Sequence, residues 1–153
     1  MFFACFEREI ATMKLALSQA AELAVRGVQV LAQRFGGKPV PLDEICRVRD
    51  LPKQYLIKLF AMLSRAGLIV PVRGKGGGYK LAREPKDITL LEVIEAVEGP
   101  IAVNLCQETP VRCDFNECPV RPVWSDIQGY LREKLGSVTL EDSAKCDQFV
   151  CSE

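Results

Sequence analysis

Leu68-Ile69-Val70-Pro71-Val72-Arg73-Gly74-Lys75-Gly76-Gly77-Gly78-Tyr79-Lys80-Leu81-Ala82 reads as two short extended runs joined by a glycine-rich turn. Apolar runs of this length flanking such a turn predict a β-hairpin. Its tip carries Arg73 and Lys75 among glycines. Lacking a Cβ, glycine lets the backbone approach a phosphate or a narrow groove closely, and arginine suits a narrow, electronegative minor groove. A nucleotide-cradling loop is the competing reading, but no Gly-Lys-Ser/Thr ending is present and a strand follows rather than a helix.

Upstream, Ala16, Ala20, Leu23, Ala24, Gly27, Leu31 and Phe35 recur at helical spacing and predict a first helix over Met13 to Phe35, ended by Gly36-Gly37. Pro41 with Asp43 and Glu44 opens a short second helix. After the turn Arg49-Asp50-Leu51-Pro52, a third helix is expected from Lys53 to Ala66, with Asp50 as its N-cap. Leu56, Leu59/Phe60 and Leu63 form its inward stripe. Downstream of the hairpin, Thr89-x-x-Glu92 is a capping box for a helix through Val97, closed by Gly99-Pro100. A last helix begins at Pro119, and Val120, Val123/Trp124, Ile127, Tyr130/Leu131 and Leu135 make one apolar stripe on it.

Helix, short helix, turn, helix and hairpin is the order of a winged helix-turn-helix. The expected fold is mainly α with a small β-hairpin, a winged helix-turn-helix domain plus a long dimerisation helix. The expected divisions are an N-terminal extension (1–12), the winged domain (13–85), a linking helix (86–103), a cysteine loop (104–118), the dimerisation helix (119–141) and a flexible tail (142–153). The stripe of the last helix is too long for so small a domain to cover, which points to a homodimer with two-fold symmetry.

The formal net charge of zero hides an asymmetry. Residues 1–85 hold 14 Lys and Arg against 7 Asp and Glu, and residues 86–153 hold 6 against 13. Such a basic half is the footprint of a polyanion partner, here double-stranded DNA with a palindromic operator. The candidate DNA-binding residues are Arg47 and Arg49 ahead of the third helix, then Lys53, Gln54, Tyr55, Ile57 and Lys58 on it. The wing adds Arg73, Lys75, Gly76 and Gly77. Gln54 has the amide geometry to read an adenine edge, and the lysines can reach phosphate or guanine. No apolar run approaches the roughly 20 residues of a membrane span, and Met1 to Ile10 lacks a signal-peptide layout, so a cytoplasmic protein without a membrane partner is expected.

The acidic half carries Cys106-x6-Cys113-x4-Cys118, in a chain with seven cysteines and no histidine. An odd number of cysteines without a secretory signal favours metal or redox chemistry over a disulfide framework. Clustered thiolates suit a soft metal or an iron–sulfur cluster, which takes about four protein ligands. Cys118 stands beside a helix start, where the dipole favours thiolate, whereas Cys46 reads as a buried apolar residue and Cys5 receives no role. With no Ser/His/Asp set, nucleotide loop or histidine base, the chain does not read as an enzyme.

Several of these stretches together resemble the IscR/NsrR-type iron–sulfur regulators: Met13-Lys14-Leu15, Tyr55-Leu56, Arg73 to Tyr79, Thr89 to Pro100 and the three-cysteine loop. The similarity runs from about Met13 to Ala144. It implies a homodimeric transcription factor with a cluster on Cys106, Cys113 and Cys118, a 2Fe–2S cluster ahead of a 4Fe–4S one, that switches DNA binding with cluster state. Three departures stand out: residues 1–12 precede the family's usual start, helix one is about two residues longer, and Arg121 occupies the slot of a histidine ligand. The resemblance then assigns the fourth ligand to Glu22, contributed by the other subunit. Cys146, Cys151, Asp114, Glu117 or an exogenous thiol or water are alternatives. The second reading keeps the DNA-binding module and makes the cysteines a thiol/disulfide switch or a zinc site.

Overall fold

The computed structural model describes residues 17–115 and 117–145. Expectations for the 1–12 extension, for helix one before Leu17, and for Cys5, Cys146 and Cys151 lie outside them. Six α-helices and one hairpin follow in order: α1 Gln19–Gln33, α2 Leu42–Arg49, α3 Lys53–Arg65, β1 Ile69–Val72, β2 Gly78–Leu81, α4 Leu90–Glu98, α5 Arg121–Ser137 and α6 Leu140–Ala144. This is the winged helix-turn-helix expected, followed by a linking helix and a long helix.

Helix α1 starts at Gln19, capped by the Ser18 hydroxyl, which accepts the amides of Ala20 and Ala21. It ends at Gln33, so Phe35 falls in the turn beyond and is 49% exposed instead of joining the inward stripe. Of the other stripe positions, Leu23, Ala24, Gly27 and Leu31 are buried and Ala20 is half-buried, while Ala16 lies outside the described residues. The α3 stripe of Leu56, Leu59, Phe60 and Leu63 meets it from the other side. At the crossing, a Cβ on Gly27 would lie 2.8 Å from the Phe60 ring and 3.2 Å from a Leu56 methyl. That space admits only glycine without repacking.

Asp50 takes a different role from the N-cap expected. It closes α2 in the left-handed region (φ 51°), its amide bonding to the Cys46 carbonyl, while Pro52 precedes α3 without a side-chain cap. Aspartate tolerates this backbone conformation better than most residues. Between α2 and α3, Leu51 is buried and its amide bonds to Cys46 O at 2.9 Å. The turn is thus tied back onto α2. Cys46 packs against the core, and burial, with the nearby Asp43 carboxylate, pushes its thiol pKa up.

The hairpin pairs Ile69 with Leu81, Val70 with Lys80, Pro71 with Tyr79 and Val72 with Gly78. Val40 adds a bridge to Tyr79 through reciprocal bonds of 3.0 and 2.9 Å. A Cβ on Gly78 would meet the Val40 carbonyl oxygen at 2.3 Å, and one on Gly77 the Val72 oxygen at 2.2 Å. Tyr79 packs edge-on to Phe60, ring centroids 4.9 Å apart, so the wing is seated on the same ring that fills the α1–α3 crossing.

The Thr89–Glu92 capping box forms as read from the sequence. The long helix differs from its expected 119–141 span. It runs from Arg121 to Ser137, and Thr139 then starts α6 with a second capping box onto Asp142. Leu140 is fully buried and α6 packs on α1, so residues 140–144 belong to the body rather than to a loose polar tail. Backbone bonds Leu90 N to Val138 O and Leu140 N to Ile88 O lock this segment to the start of α4.

Gly27→Ala should destabilise the protein by about 1 kcal/mol despite a better helix propensity, because the methyl overpacks a fully buried ring. Urea unfolding checks this, and an unchanged or higher midpoint would contradict the close crossing.

Candidate DNA interface and cysteine loop

Burial of one α3 face leaves Lys53, Gln54, Tyr55, Ile57 and Lys58 exposed on the other. All five candidate reading residues on this helix therefore share one accessible surface. Lys53 Nζ lies 2.5 Å from Asp43 Oδ1, and this hydrogen bond raises the lysine's pKa. The pair is exposed, and exposed pairs contribute little, so Lys53 stays available to a phosphate. Arg73, Lys75 and Gly76 are exposed at the wing tip. Gly77 is half-buried, and the crowding at Gly77 and Gly78 accounts for these two glycines through contacts inside the hairpin.

Arg47 and Arg49 stand in the last turn of α2, with Arg47 exposed. Both line a cleft between α1, the end of α2, α4 and the end of α5. Arg49 is half-buried, and its Nε is shielded with no hydrogen-bond partner.

Cys106, Cys113 and Cys118 are free and half-buried. Cys106 sits on a 3-10 turn, Leu105–Gln107, whose first amide is capped by Asn104. Arg112 N bonds back to Leu105 O at 3.2 Å and closes the segment between the first two cysteines. Near the third, Arg121 N bonds to Cys118 O, and its guanidinium donates to the Phe115 carbonyl. The residue in the histidine slot therefore ties the loop to the first turn of α5, and its Nε is buried without a partner. Cys118 stands two residues before the Val120 N-cap, further from the helix start than the sequence suggests. Among the described residues no three Cys, Asp or Glu side chains converge on one point, so the thiols are gathered in one loop but not closed around a centre. In donor chemistry, three thiolates beside an orphaned buried N–H fit an electron-rich, soft-metal group.

Glu22 is exposed on α1 and pairs with Arg26 one turn on, at 2.8 Å. Among the described residues its side chain bonds to Arg26 and not to the loop cysteines. Sequence reasoning missed a set of links from the loop into the body. The Ile101 amide donates to Glu95 Oε1 at 3.1 Å, and Arg132 of α5 pairs with the same carboxylate. Val103 N bonds to Gln128 Oε1 of α5. One turn earlier on α4, Glu92 pairs with Arg83, just after the wing, at 2.7 Å. Burial pushes the Glu92 pKa up, but hydrogen bonds from Arg83 and Thr89 outweigh it and hold the carboxyl below its ordinary value. Only Thr89–Glu92 left a local signal; the other pairings join positions 6 to 37 residues apart.

A winged helix-turn-helix with a basic reading face is the architecture of a DNA-binding regulator, and the comparisons agree. The Rrf2 profile, described as an iron-dependent transcriptional regulator, matches residues 17–145. The chain belongs to the Rrf2 family of transcriptional regulators. It is 33% identical over 129 residues to the regulator IscR of Xenorhabdus nematophila, covering 84% of this chain and 79% of that one. It is 38% identical over 115 residues to CymR of Bacillus subtilis, covering 74% and 78%. Among solved structures it resembles B. subtilis CymR, the global cysteine regulator, with a TM-score of 0.76 at 34% identity, covering 88% of this chain and 100% of that one. It also resembles the IscR of T. potens, with a TM-score of 0.74 at 34% identity, covering 92% and 94%. These relatives are transcriptional regulators, and this chain is one rather than an enzyme. No helix among the described residues is long and apolar enough to cross a membrane.

Replacing Arg73 and Lys75 together by Ala should weaken operator binding and lower the slope of log affinity against log salt by about 2. Gel shifts across a salt series measure both, and an unchanged slope would remove the wing from the interface.

Proposed function

We propose that this regulator is a homodimer that senses iron–sulfur status, redox state or nitric oxide through a cluster held by Cys106, Cys113 and Cys118. The observation that carries the reading is the position of the thiols. They occupy a single loop that is hydrogen-bonded at one end to α4 through Glu95 and at the other to α5 through Arg121. A bound cluster would supply iron centres that react with oxidants, nitric oxide or iron shortage. The protein's part is mechanical. With the thiolates engaged, the 104–118 loop is held against α5. With them released, the Ile101–Glu95 and Val103–Gln128 bonds lose their anchor. Helix α4 then shifts its hold on the wing through Glu92 and Arg83.

Dimerisation is supported by α5, which buries no residue within the protomer. Val120, Val123, Ile127 and Tyr130 are exposed along it, Tyr130 by 61%. A second copy of α5 covering this face would present two α3 helices to a palindromic operator. Glu22 from the other subunit is then the leading fourth ligand. It would have to give up only an exposed pair with Arg26, worth about 0–1 kcal/mol. The six divisions expected from the sequence carry into this reading, with the dimerisation helix shortened to 121–137. Action on DNA places the protein in the cytoplasm.

The second reading, a thiol/disulfide switch or a zinc site, draws on the CymR relatives for its switch form. One is a global cysteine regulator, and CymR of Staphylococcus aureus has been solved in an oxidised form, with a TM-score of 0.70 at 25% identity.

Anaerobic purification separates the readings. The first expects visible absorption with iron and sulfide, lost in Cys106→Ala, Cys113→Ala or Cys118→Ala. A colourless protein whose operator affinity still follows thiol oxidation supports the second. A spectrum that survives in the triple variant contradicts the assignment of these cysteines. Sedimentation of the same preparation should give a dimer that Ile127→Asp with Tyr130→Asp converts to monomer; a monomeric wild type would contradict the role of α5.

A further inference from the structure

The outward side of α3 has one central line. Leu56, Leu59, Phe60 and Leu63 are buried against the body. On an α-helix the positions opposite that stripe are Gln54, Ile57, Lys58 and Ala61. All four are exposed. Lys53 and Tyr55 flank this line at the start of the helix. Its charge is one-sided, since the sequence from Lys53 to Arg65 holds no aspartate or glutamate.

Ile57 is the apolar residue in the middle of it, 40% exposed, one turn beyond Gln54 and beside Lys58. A single exposed isoleucine elsewhere on a surface is ordinary. The first turns of a reading helix, however, are the part that enters the major groove. There an apolar side chain displaces water from the base edges and returns no hydrogen bond, which costs free energy wherever the edge is polar. The C5-methyl group of thymine is the apolar feature of that groove. Isoleucine suits such a contact, because its branched Cβ holds χ1 to essentially one rotamer in a helix and little freedom is lost. With no carboxylate, α3 lacks the usual acceptor for a cytosine amino group, and Gln54 on the same line has the geometry for adenine.

We propose that Ile57 determines operator specificity by packing on a thymine methyl in the major groove, so that each half-site places a T·A pair beneath the second turn of α3. The proposal deepens the reading of α3 as the DNA-reading helix and rests on it. Lys53 and Lys58 supply attraction that salt screens. Ile57 supplies discrimination at one base pair through an uncharged contact that releases no counterion, so its share of the affinity does not change with salt.

Selection from a random duplex pool with the full-length protein defines the site. Each thymine of the selected duplex is then replaced singly by deoxyuridine, which differs only in lacking the methyl. One such replacement in a half-site should weaken binding roughly fourfold, the factor that burial of one methyl supplies, at low and high salt alike. Ile57→Ala should bind the thymine duplex several-fold more weakly and no longer distinguish it from the deoxyuridine duplex. Lys58→Ala should lose affinity for both duplexes by the same factor. Ile57 lies outside the core, so its variant keeps the fold, and the deoxyuridine scan of the unmodified protein needs no variant at all. If no thymine is sensitive to loss of its methyl, or if the sensitivity persists unchanged in Ile57→Ala, the proposal is overturned while α3 remains the reading helix. If no duplex is enriched, or if Ile57→Ala and Lys58→Ala both bind the selected duplex as the unmodified protein does, the reading of α3 itself fails and the proposal with it.

Discussion

The ring of Phe60 fixes how the reading helix and the wing stand relative to each other. It lies on the bare backbone of Gly27 in α1 and receives Tyr79 of β2 edge-on. Three elements therefore meet on one fully buried side chain. Because α3 has its inner face fixed by this contact, Lys53, Gln54, Ile57 and Lys58 are held outward. Because Tyr79 is also bridged to Val40, the wing cannot rotate freely about its own strands. Core packing of this density transmits displacement rather than absorbing it. A module built this way can be switched by moving the helices that touch it.

Helix α4 is placed to do that. Its outward carboxylates Glu92 and Glu95 are one turn apart; the first reaches Arg83 beside the wing, the second reaches α5 and the start of the cysteine loop. Each exposed pair is weak by itself. Their combined effect is geometric, since the loop, the long helix and the wing all refer their positions to the same nine-residue rod. The mixed cleft between α1 and α5 touches this rod too, through Leu90 and Ile94.

Much of this was legible in the sequence wherever the signal was local. The α3 stripe, the hairpin and the Thr89–Glu92 box follow from spacing and cap chemistry within a few residues, and the structure reproduces them. Asp50 was misread because aspartate both starts helices and closes them in the left-handed region, and only the backbone decides between the two. The fold of residues 140–144 was hidden because a single leucine, Leu140, carries the burial, and one apolar residue in a polar stretch makes no period. The cysteine loop was visible as a set of donors. Its ties to Arg121, Glu95 and Gln128 were not, since tertiary pairing leaves no trace in spacing.

The proposed function requires that the state of the cysteine loop be felt at the wing. Operator affinity of anaerobically purified protein, measured before and after its thiols are stripped of metal or oxidised, tests it most directly. The account predicts a change of roughly tenfold or more, equivalent to about 1.4 kcal/mol of coupling, which disappears when Cys106, Cys113 and Cys118 are all replaced by Ala. Identical affinity in every state of the wild-type protein would contradict it.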